Sequence, residues 1–256
     1  LVPVKECEVK GQILPCSIIM NFKHSALGVA YRAKARLVAG GHREIRGGNY
    51  YSPTSNTQLV FSAVSIFANL KWKVRVHDIK VAYLEADWLK DKPMYIRVNR
   101  QISELILEKH QELKKYLNEK GEIILELKKA VYGTLEGAML WYCRLAEVLQ
   151  KAGYTRNEKD HCTFFKIVNG EMIIILIYVD DILAGSISTK LLDELEQHLK
   201  TSFREVKSAG GDKIEFLGLV FEFDRVERTV RVSSPKQLKD IADWGTINCN
   251  KERVPL

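Results

Sequence analysis

The sequence predicts an α+β fold in which strands and helices interleave without a strict βαβ repeat. Alternating apolar and polar residues predict a strand over Val74–Ile79, and an apolar run predicts one over Met172–Val179. Apolar residues at helical spacing predict helices over 59–67, 141–151 and 191–203. The chain has 256 residues, 46% hydrophobic and 28% charged, so it can build one large core or two small ones. This composition argues against a disordered, collagen-like or coiled-coil chain.

The longest apolar runs, Ile13–Met20 and Met172–Val179, fall far below the ~20 residues that a membrane-spanning helix needs, so we expect a soluble protein. The segment Leu1–Cys7 has no initiating Met and no pattern of a secretion signal, which is typical of a piece cut from a longer chain. Five cysteines without a Cys-x-x-Cys pair argue against a disulfide framework and a structural zinc site. We therefore expect reduced thiols and an intracellular protein.

Basic residues give the chain a formal net charge of +7 and a pI near 9.0, which is compatible with a polyanionic partner such as nucleic acid. Lys34 and Arg36 alternate with apolar residues, a pattern that predicts a strand with its cations on one face. From the residues alone two interpretations stay open. The strand is either an ordinary solvated edge or a clamp for phosphate.

Turn and cap signals divide the rest of the chain. The turn residues of 52–57 precede the first helix, which we expect to be mostly buried. Charged and apolar residues at helical spacing predict a surface helix over Gln101–Gly121. Asn169-Gly170 predicts a hairpin turn, and a second hairpin is expected from Glu215–Phe223 with Thr229–Val232.

Two adjacent carboxylates, Asp180 and Asp181, interrupt an apolar stretch in the tetrapeptide Tyr178-Val179-Asp180-Asp181. Such a pair is costly to bury unless a cation neutralises it. Neighbouring side chains of an extended chain point to opposite faces, so both can serve one site only at a tight hairpin turn. The alternative is a solvated β-turn that its aspartates merely favour, and the tetrapeptide alone does not exclude it.

A third carboxylate is available from Asp78, at the end of another apolar strand. Two-metal phosphoryl transfer uses carboxylates that hold two cations about 3.5–4 Å apart, one activating a hydroxyl and one stabilising the leaving phosphate. Hard oxygen ligands favour Mg²⁺, with Mn²⁺ as a second option. From these residues alone, a two-metal site at Asp78, Asp180 and Asp181 and a solvated turn both stay open. The family resemblance described next implies that the three aspartates are catalytic and bind two metal ions.

Ordered sequence blocks resemble the reverse transcriptase domain of copia-type (pseudovirus) LTR retrotransposons over most of the chain. The resemblance implies a right-hand polymerase fold with fingers, a palm whose antiparallel sheet has helices on one face, and the start of a thumb. It implies fingers with N-terminal strands in 1–76, a palm in 77–223 with an inserted fingers segment at about 90–130, and the end of the palm with a partial thumb in 224–256. The blocks that carry it are Lys34–Ala39, His77–Leu84, Leu127–Gly133 with Trp141, Gly153–Phe165, Tyr178–Asp181, Phe216–Leu219 and Asn248–Leu256.

The resemblance also implies how the incoming nucleotide is bound. Lys34 and Arg36 would meet its triphosphate, and Gly133 belongs to the motif that supports the nascent base pair. Tyr83 would stand under the sugar and exclude a 2′-hydroxyl, although without the motif a buried core tyrosine is the simpler interpretation. The carbonyl oxygen of Ile79 would join the aspartates as a metal ligand.

Partners follow from the same resemblance: an RNA or DNA template with a primer, deoxynucleoside triphosphates and no membrane. It implies a larger polyprotein with protease, integrase and RNase H modules, in a cytoplasmic particle or the nucleus. Lys213 lies where such polymerases can supply a lysine that protonates pyrophosphate, although an exposed loop lysine is the simpler interpretation. The primer and template contacts would come from Arg43, Tyr178, Phe216, Leu217 and Gly218.

The sequence therefore predicts an RNA-directed DNA polymerase that works by two-metal nucleotidyl transfer. The chain departs from the family at Thr134–Met139, where Leu-Lys-Gln-Ala followed by Pro or Ala and then Arg is usual. The lost cations predict weaker binding of template or triphosphate. The alternative function is thus a catalytically inactive, degenerate retrotransposon remnant that keeps the palm fold and at most binds nucleic acid.

Overall fold

Strands and α-helices interleave along the chain, as the apolar patterns predict. The structure is a computed structural model and describes residues 1–24, 30–45, 52–235, 237–239 and 241–242. In this part of the chain no helix is long and apolar enough to cross a membrane. The helices are α1 (Thr57–Asn69), α2 (Arg100–Leu107), α3 (Gly137–Lys151) and α4 (Thr189–Ser202). The strands are β1 (Val2–Val4), β2 (Gln12–His24), β3 (Ala30–Ala39), β4 (Lys73–Ile79), β5 (Met94–Val98), β6 (Ile123–Glu126), β7 (Thr155–Arg156), β8 (Thr163–Val168), β9 (Glu171–Tyr178), β10 (Asp181–Ser186), β11 (Val206–Gly210), β12 (Lys213–Phe216), β13 (Leu219–Asp224) and β14 (Thr229–Ser233).

The chain divides into two compact units at points that differ from the predicted segments 1–76, 77–223 and 224–256. Unit 1 contains Leu1–Pro53 and Val81–Glu147, and unit 2 contains Thr54–Lys80 and the chain from Val148 onward. α1 and β4 precede residue 80 but belong to unit 2, because β4 pairs with β10 and β11. The names fingers, palm and thumb stay predictions, and the predicted thumb block from Asn248 lies outside the described residues.

The sheet of unit 1 has five strands in the order β1-β6-β5-β2-β3. β2 runs parallel to β5, and the other neighbours are antiparallel. Its core includes Leu14, Ile96, Ile123 and Leu127, all of which are buried. The basic segment predicted to be a strand is β3, so that element is confirmed.

Unit 2 contains a six-stranded antiparallel sheet in the order β11-β4-β10-β9-β8-β7 and a three-stranded sheet β12-β13-β14. The predicted turn at Asn169 and Gly170 joins β8 to β9, and both residues have positive φ, as a two-residue hairpin turn requires. α1 begins as its sequence indicates, because the Asn56 side chain accepts a hydrogen bond from the Gln58 amide (2.9 Å).

Helices pack on both faces of the six-stranded sheet, so the prediction of helices on one face is wrong. Phe67 of α1 covers Gly185 of β10, where an added Cβ would lie 2.5 Å from the ring. Arg75 of β4 forms ion pairs with Asp193 (2.5 Å) and Glu196 (2.9 Å) of α4. Gly185 pairs with Val74, so the two share one face of the sheet. Arg75 follows Val74 and points to the other face, because side chains alternate along a strand. α1 and α4 therefore lie on opposite faces.

Two predicted elements are interrupted by local backbone geometry. The single helix predicted over Gln101–Gly121 ends with α2, because His110 has φ −130° and ψ 64°, and a 3-10 helix follows it. The single strand predicted over Glu215–Phe223 is divided into β12 and β13 by a turn. At that turn Leu217 and Gly218 both have positive φ.

Candidate active site

A two-residue turn places the adjacent aspartates at one end of the β9–β10 hairpin. β9 ends at Tyr178, β10 begins at Asp181, and these two residues pair across the turn. Val179 has a φ of +57°, a left-handed conformation that costs a β-branched residue ~1–3 kcal/mol. The tight turn that Asp180 and Asp181 need to serve one site is therefore present.

Strand pairing brings Asp78 to the same place. β4 runs antiparallel to β10 with Asp78 directly opposite Asp181, so these side chains share one face, with Cβ atoms about 5 Å apart. The Ile79 amide donates a hydrogen bond to the Asp180 carbonyl oxygen (3.1 Å), which ties the turn to the end of β4. The three predicted aspartates thus lie together, with the backbone of Ile79 beside them.

Two lysines that the sequence analysis missed lie next to the aspartates. The Lys80 ammonium donates a hydrogen bond to the Asp78 carboxylate and forms an ion pair with it. Lys207 of β11 lies directly opposite Asp78 on its other side, but its ammonium contacts Glu205 (3.9 Å). Lys80 follows directly after β4 and is two residues from Asp78, a spacing at which side chains of an extended chain share a face, so this position was a usable signal. Lys207 is placed by the pairing of β11 with β4, which no local pattern indicates.

Burial and the repulsion of neighbouring carboxylates raise the pKa of Asp181 to about 6. Burial is the largest cause, because it penalises the charged carboxylate. The negative charges of Asp180 and Asp78 act in the same direction, and the Lys80 ammonium opposes them. A bound cation would therefore reduce the repulsion between these carboxylates.

The donor chemistry of this cluster fits Mg²⁺, because three carboxylates supply the hard oxygen ligands that this ion prefers. The side chains are not, however, drawn into a closed ligand set. No group of three or more His, Cys, Asp or Glu side chains among the described residues is arranged to hold a metal ion. Instead the Asp78 carboxylate is held by Lys80. The predicted role of the Ile79 carbonyl as a ligand stays a prediction.

The cations predicted to bind nucleotide lie in unit 1. Lys34 pairs with Asn21 and Arg36 with Ile19 across the β2–β3 ladder, so both cations belong to one face of β3. Arg36 is half-buried, and the side chain of Lys34 lies outside the described residues. Arg43, predicted to contact primer or template, is exposed in a short 3-10 helix after β3.

Tyr83 and Gly133 have well-defined surroundings in unit 1. The ring of Tyr83 packs on that of Tyr132, with centroids 4.2 Å apart. Gly133 has a φ of +91°, and an added Cβ would lie 2.1 Å from the Ala39 carbonyl oxygen, so no other residue fits there. The Ala39 amide also donates to the Tyr132 carbonyl oxygen (2.8 Å). The motif around Gly133 is therefore packed against the end of β3.

The residues predicted to contact the primer differ in exposure. Phe216 is buried in the core of unit 2, so its side chain supports the turn that follows and is not itself at the surface. Leu217 and Gly218 form that turn between β12 and β13, and Gly218 is exposed. Tyr178 is half-buried next to Asp181.

The structure does not bring Lys213, the predicted general acid, to the aspartates. Its side chain is exposed and forms an ion pair with Glu222 (2.7 Å) in the three-stranded sheet. The Gly211 amide donates to the Val74 carbonyl oxygen (3.4 Å), which places the start of β12 near that end of β4. Asp78 lies four residues beyond Val74 on β4, which corresponds to about 13 Å along the strand. The geometry favours the simpler interpretation of an exposed lysine.

The Thr134–Met139 segment carries one buried glutamate, Glu136, and contacts another, Glu44. Glu136 forms an ion pair with Lys92, and Glu44 accepts a hydrogen bond from the Leu135 amide (2.8 Å). Both glutamates are buried, and burial raises the pKa of Glu44. These contacts fix the segment at the start of α3, and no local sequence pattern indicates them.

The sequence is similar to known sequences over nearly its whole length. The profile of the family described as reverse transcriptase (RNA-dependent DNA polymerase) matches residues 8–256. The retrovirus-related Pol polyprotein from transposon TNT 1-94 of Nicotiana tabacum is 25% identical over 248 residues, which cover 95% of this chain and 17% of that protein. The corresponding polyprotein from transposon RE2 of Arabidopsis thaliana is 25% identical over 241 residues, which cover 90% of this chain and 15% of that protein. The chain thus spans about a sixth of the length of these relatives.

A solved structure of a telomerase from Candida albicans, in complex with a fragment of telomeric RNA, is similar to the chain at a TM-score of 0.45 and 11% identity. The similarity covers 91% of this chain and 48% of that one. A likeness of this size supports no statement about function.

Replacing Asp181 with Asn should stabilise the metal-free protein at pH 7 and not near pH 4. The raised pKa of Asp181 means that its neutral form favours the folded state, and this contribution is lost as the pH rises through about 6. The Asp181→Asn variant carries no charge at this position and so avoids the loss. We expect its free energy of unfolding at pH 7 to exceed that of the wild type by about 1 kcal/mol. The difference is no larger because water partly screens the half-buried carboxyl.

Urea denaturation in EDTA at several pH values measures this difference. Asp91, an exposed aspartate of unit 1, provides the control, because Asp91→Asn makes the same substitution outside the cluster. An Asp181→Asn difference that is the same at pH 4 and pH 7 would contradict the electrostatic account of the cluster.

Proposed function

We propose that this chain, which belongs to the reverse transcriptase (RNA-dependent DNA polymerase) family, extends a DNA primer along an RNA or DNA template from deoxynucleoside triphosphates. The observation that carries the proposal is the alignment of Asp78 opposite Asp181, with Asp180 in the adjoining turn. The family match and the plant transposon relatives confirm the resemblance to copia-type retrotransposon reverse transcriptases.

In the proposed reaction the primer 3′-hydroxyl attacks the α-phosphorus of the incoming nucleotide, and pyrophosphate leaves. Two Mg²⁺ ions, or Mn²⁺ in their place, would activate the hydroxyl and stabilise the charge on the leaving group. Asp78 and Asp180 would hold them, with Asp181 assisting and the Ile79 carbonyl as a further ligand. The pairing of β4 with β10 fixes these residues before substrate arrives, which is the contribution of the fold.

The family resemblance also implies which residues contact the nucleotide. Lys34 and Arg36, on one face of β3, would bind phosphate, Arg36 through its two-pronged guanidinium. Tyr83 would exclude a 2′-hydroxyl, and its packing on Tyr132 supports this role because it restricts the ring. Gly133 would act through its backbone, since its close approach to β3 leaves no room for a side chain.

Primer and template contacts are proposed for two exposed residues, Arg43 and Gly218, and two half-buried ones, Tyr178 and Leu217. Arg43 would bind phosphate, which gives salt-dependent and largely sequence-independent affinity. Tyr178 and the turn at Leu217 and Gly218 would contact the primer, with Phe216 holding that turn from the core.

The chain is proposed to act as one module of a longer retrotransposon Pol polyprotein, because the matched relatives are Pol polyproteins of which it spans about a sixth. Protease, integrase and RNase H modules would lie on the rest of such a protein, and the reaction would take place inside the cell.

One observation favours the alternative, a degenerate copy that keeps the fold without activity. The Thr134–Met139 segment carries no cation, and its Glu136 is held in an ion pair with Lys92. A carboxylate in place of the family's amide would repel a triphosphate unless Lys92 neutralises it. The proposed polymerase therefore depends on the strength of this pair.

Primer extension on an RNA template with a DNA primer tests the proposed function. We expect extension in Mg²⁺ or Mn²⁺, and a loss of about a hundredfold or more in the Asp180→Asn variant, because one carboxylate ligand is removed. The Asp91→Asn variant should extend like the wild type, since Asp91 is exposed in unit 1 and outside the cluster.

Absence of extension by the wild type, both in this chain and in one continued past Leu256, would contradict the polymerase proposal. Template–primer binding without extension would then identify the degenerate copy.

Replacing Tyr83 with Ala should raise incorporation of ribonucleotides relative to deoxynucleotides by about tenfold or more, because the ring that would meet the 2′-hydroxyl is removed. The Tyr83→Phe variant keeps the ring and should keep the selectivity. Single-nucleotide incorporation with matched ribo- and deoxyribonucleoside triphosphates measures the ratio, and an unchanged ratio in Tyr83→Ala would exclude this role.

A further inference from the structure

The Asp78 carboxylate is paired with a positively charged side chain of the same protein, that of Lys80. The Lys80 ammonium forms an ion pair with it, and both side chains are about one-third exposed (33% for Lys80 and 38% for Asp78). The same ammonium acts on Asp181 against the charges of the neighbouring carboxylates. Lys80 therefore provides a counter-charge where a metal ion would otherwise do so.

The backbone of Lys80 is fixed while its side chain is able to move. Its amide donates to the Glu205 carbonyl oxygen (3.0 Å), which attaches this residue to the segment before β11. The side chain has a flexible four-carbon stem and a strongly hydrated ammonium, so a change of rotamer is enough to release Asp78. The partial exposure of both groups gives the ammonium access to water when it leaves.

We propose that Lys80 is an internal counter-cation that holds Asp78 in the metal-free protein and competes with the divalent ion for that carboxylate. The inference rests on the proposed function, because it concerns metal binding at the same aspartates. Metal binding is then an exchange of one cation for another.

Lys207 provides a matched comparison. It carries the same charge and lies directly opposite Asp78 in the pairing of β11 with β4. Its ammonium nevertheless contacts Glu205, and its side chain is 60% exposed. A general effect of positive charge near Asp78 would appear in variants of both lysines, whereas competition for the carboxylate belongs to Lys80.

The test is the affinity of the full chain for Mn²⁺, measured from the free-ion signal in electron paramagnetic resonance. We expect Lys80→Met to bind Mn²⁺ about fivefold more tightly than the wild type, the factor that corresponds to one exposed ion pair. Lys80→Arg keeps the charge and should bind no more tightly than the wild type. Lys207→Met should change the affinity by less than about twofold, since the Lys207 ammonium contacts Glu205 and forms no ion pair with Asp78 among the described residues.

Unfolding in EDTA is the second readout. Lys80→Met should lower the urea midpoint of the metal-free protein, because the carboxylates lose their counter-charge, and saturating Mn²⁺ should remove the difference. An unchanged Mn²⁺ affinity in Lys80→Met, or an equal gain in Lys207→Met, would overturn the inference while leaving the proposed function intact. Mn²⁺ binding that is absent from the wild type, or that survives Asp78→Asn, would instead overturn the proposed function and the inference with it.

Discussion

The antiparallel pairing of β4 with β10 is the constraint on which the candidate site depends, because it aligns residues that are about a hundred positions apart in sequence. The register places Asp181 opposite Asp78 and Leu183 opposite Val76 on one face. Further along the same face, Phe67 covers Gly185 with no room for a side chain. A shift of one residue would turn every β10 side chain to the other face, so packing in the core also sets the position of the carboxylates.

The candidate site contains locally unfavourable backbone geometry and electrostatic repulsion. Val179 adopts a left-handed backbone conformation that is unfavourable for a β-branched residue, and three carboxylates lie close enough to disfavour ionisation of Asp181. The buried ladder behind the turn stabilises this arrangement, and Lys80 offsets part of the charge. Such local conflicts with an otherwise consistent sequence are typical of functional sites.

Local patterns were enough to predict most elements of the fold and the meeting of the three aspartates, whose catalytic role stays a prediction. The strand and helix periods gave β4, β9, β10, α1 and α4, and the adjacent carboxylates required a tight turn, which is present. Such patterns do not show which residues lie side by side when strands far apart in sequence pair. Lys207 lies opposite Asp78 because β11 pairs with β4, and Lys213 lies away from Asp78 because β12 starts near the other end of β4. The packing of α1 and α4 on opposite faces was missed for the same reason, since the sequence shows which face of a helix is apolar and not which sheet face it covers.

Iron-directed cleavage of the chain tests whether Asp78 and Asp180 bind the same metal ion. Fe²⁺ bound in place of Mg²⁺ generates hydroxyl radicals with ascorbate and peroxide, and mass spectrometry of the fragments locates the peptide bonds near the ion. Our account predicts cuts in two distant segments, around Asp78 and around Asp180, and the loss of both in the Asp78→Asn variant. Cleavage confined to one segment, or cleavage that persists in that variant, would contradict a shared metal site at these aspartates.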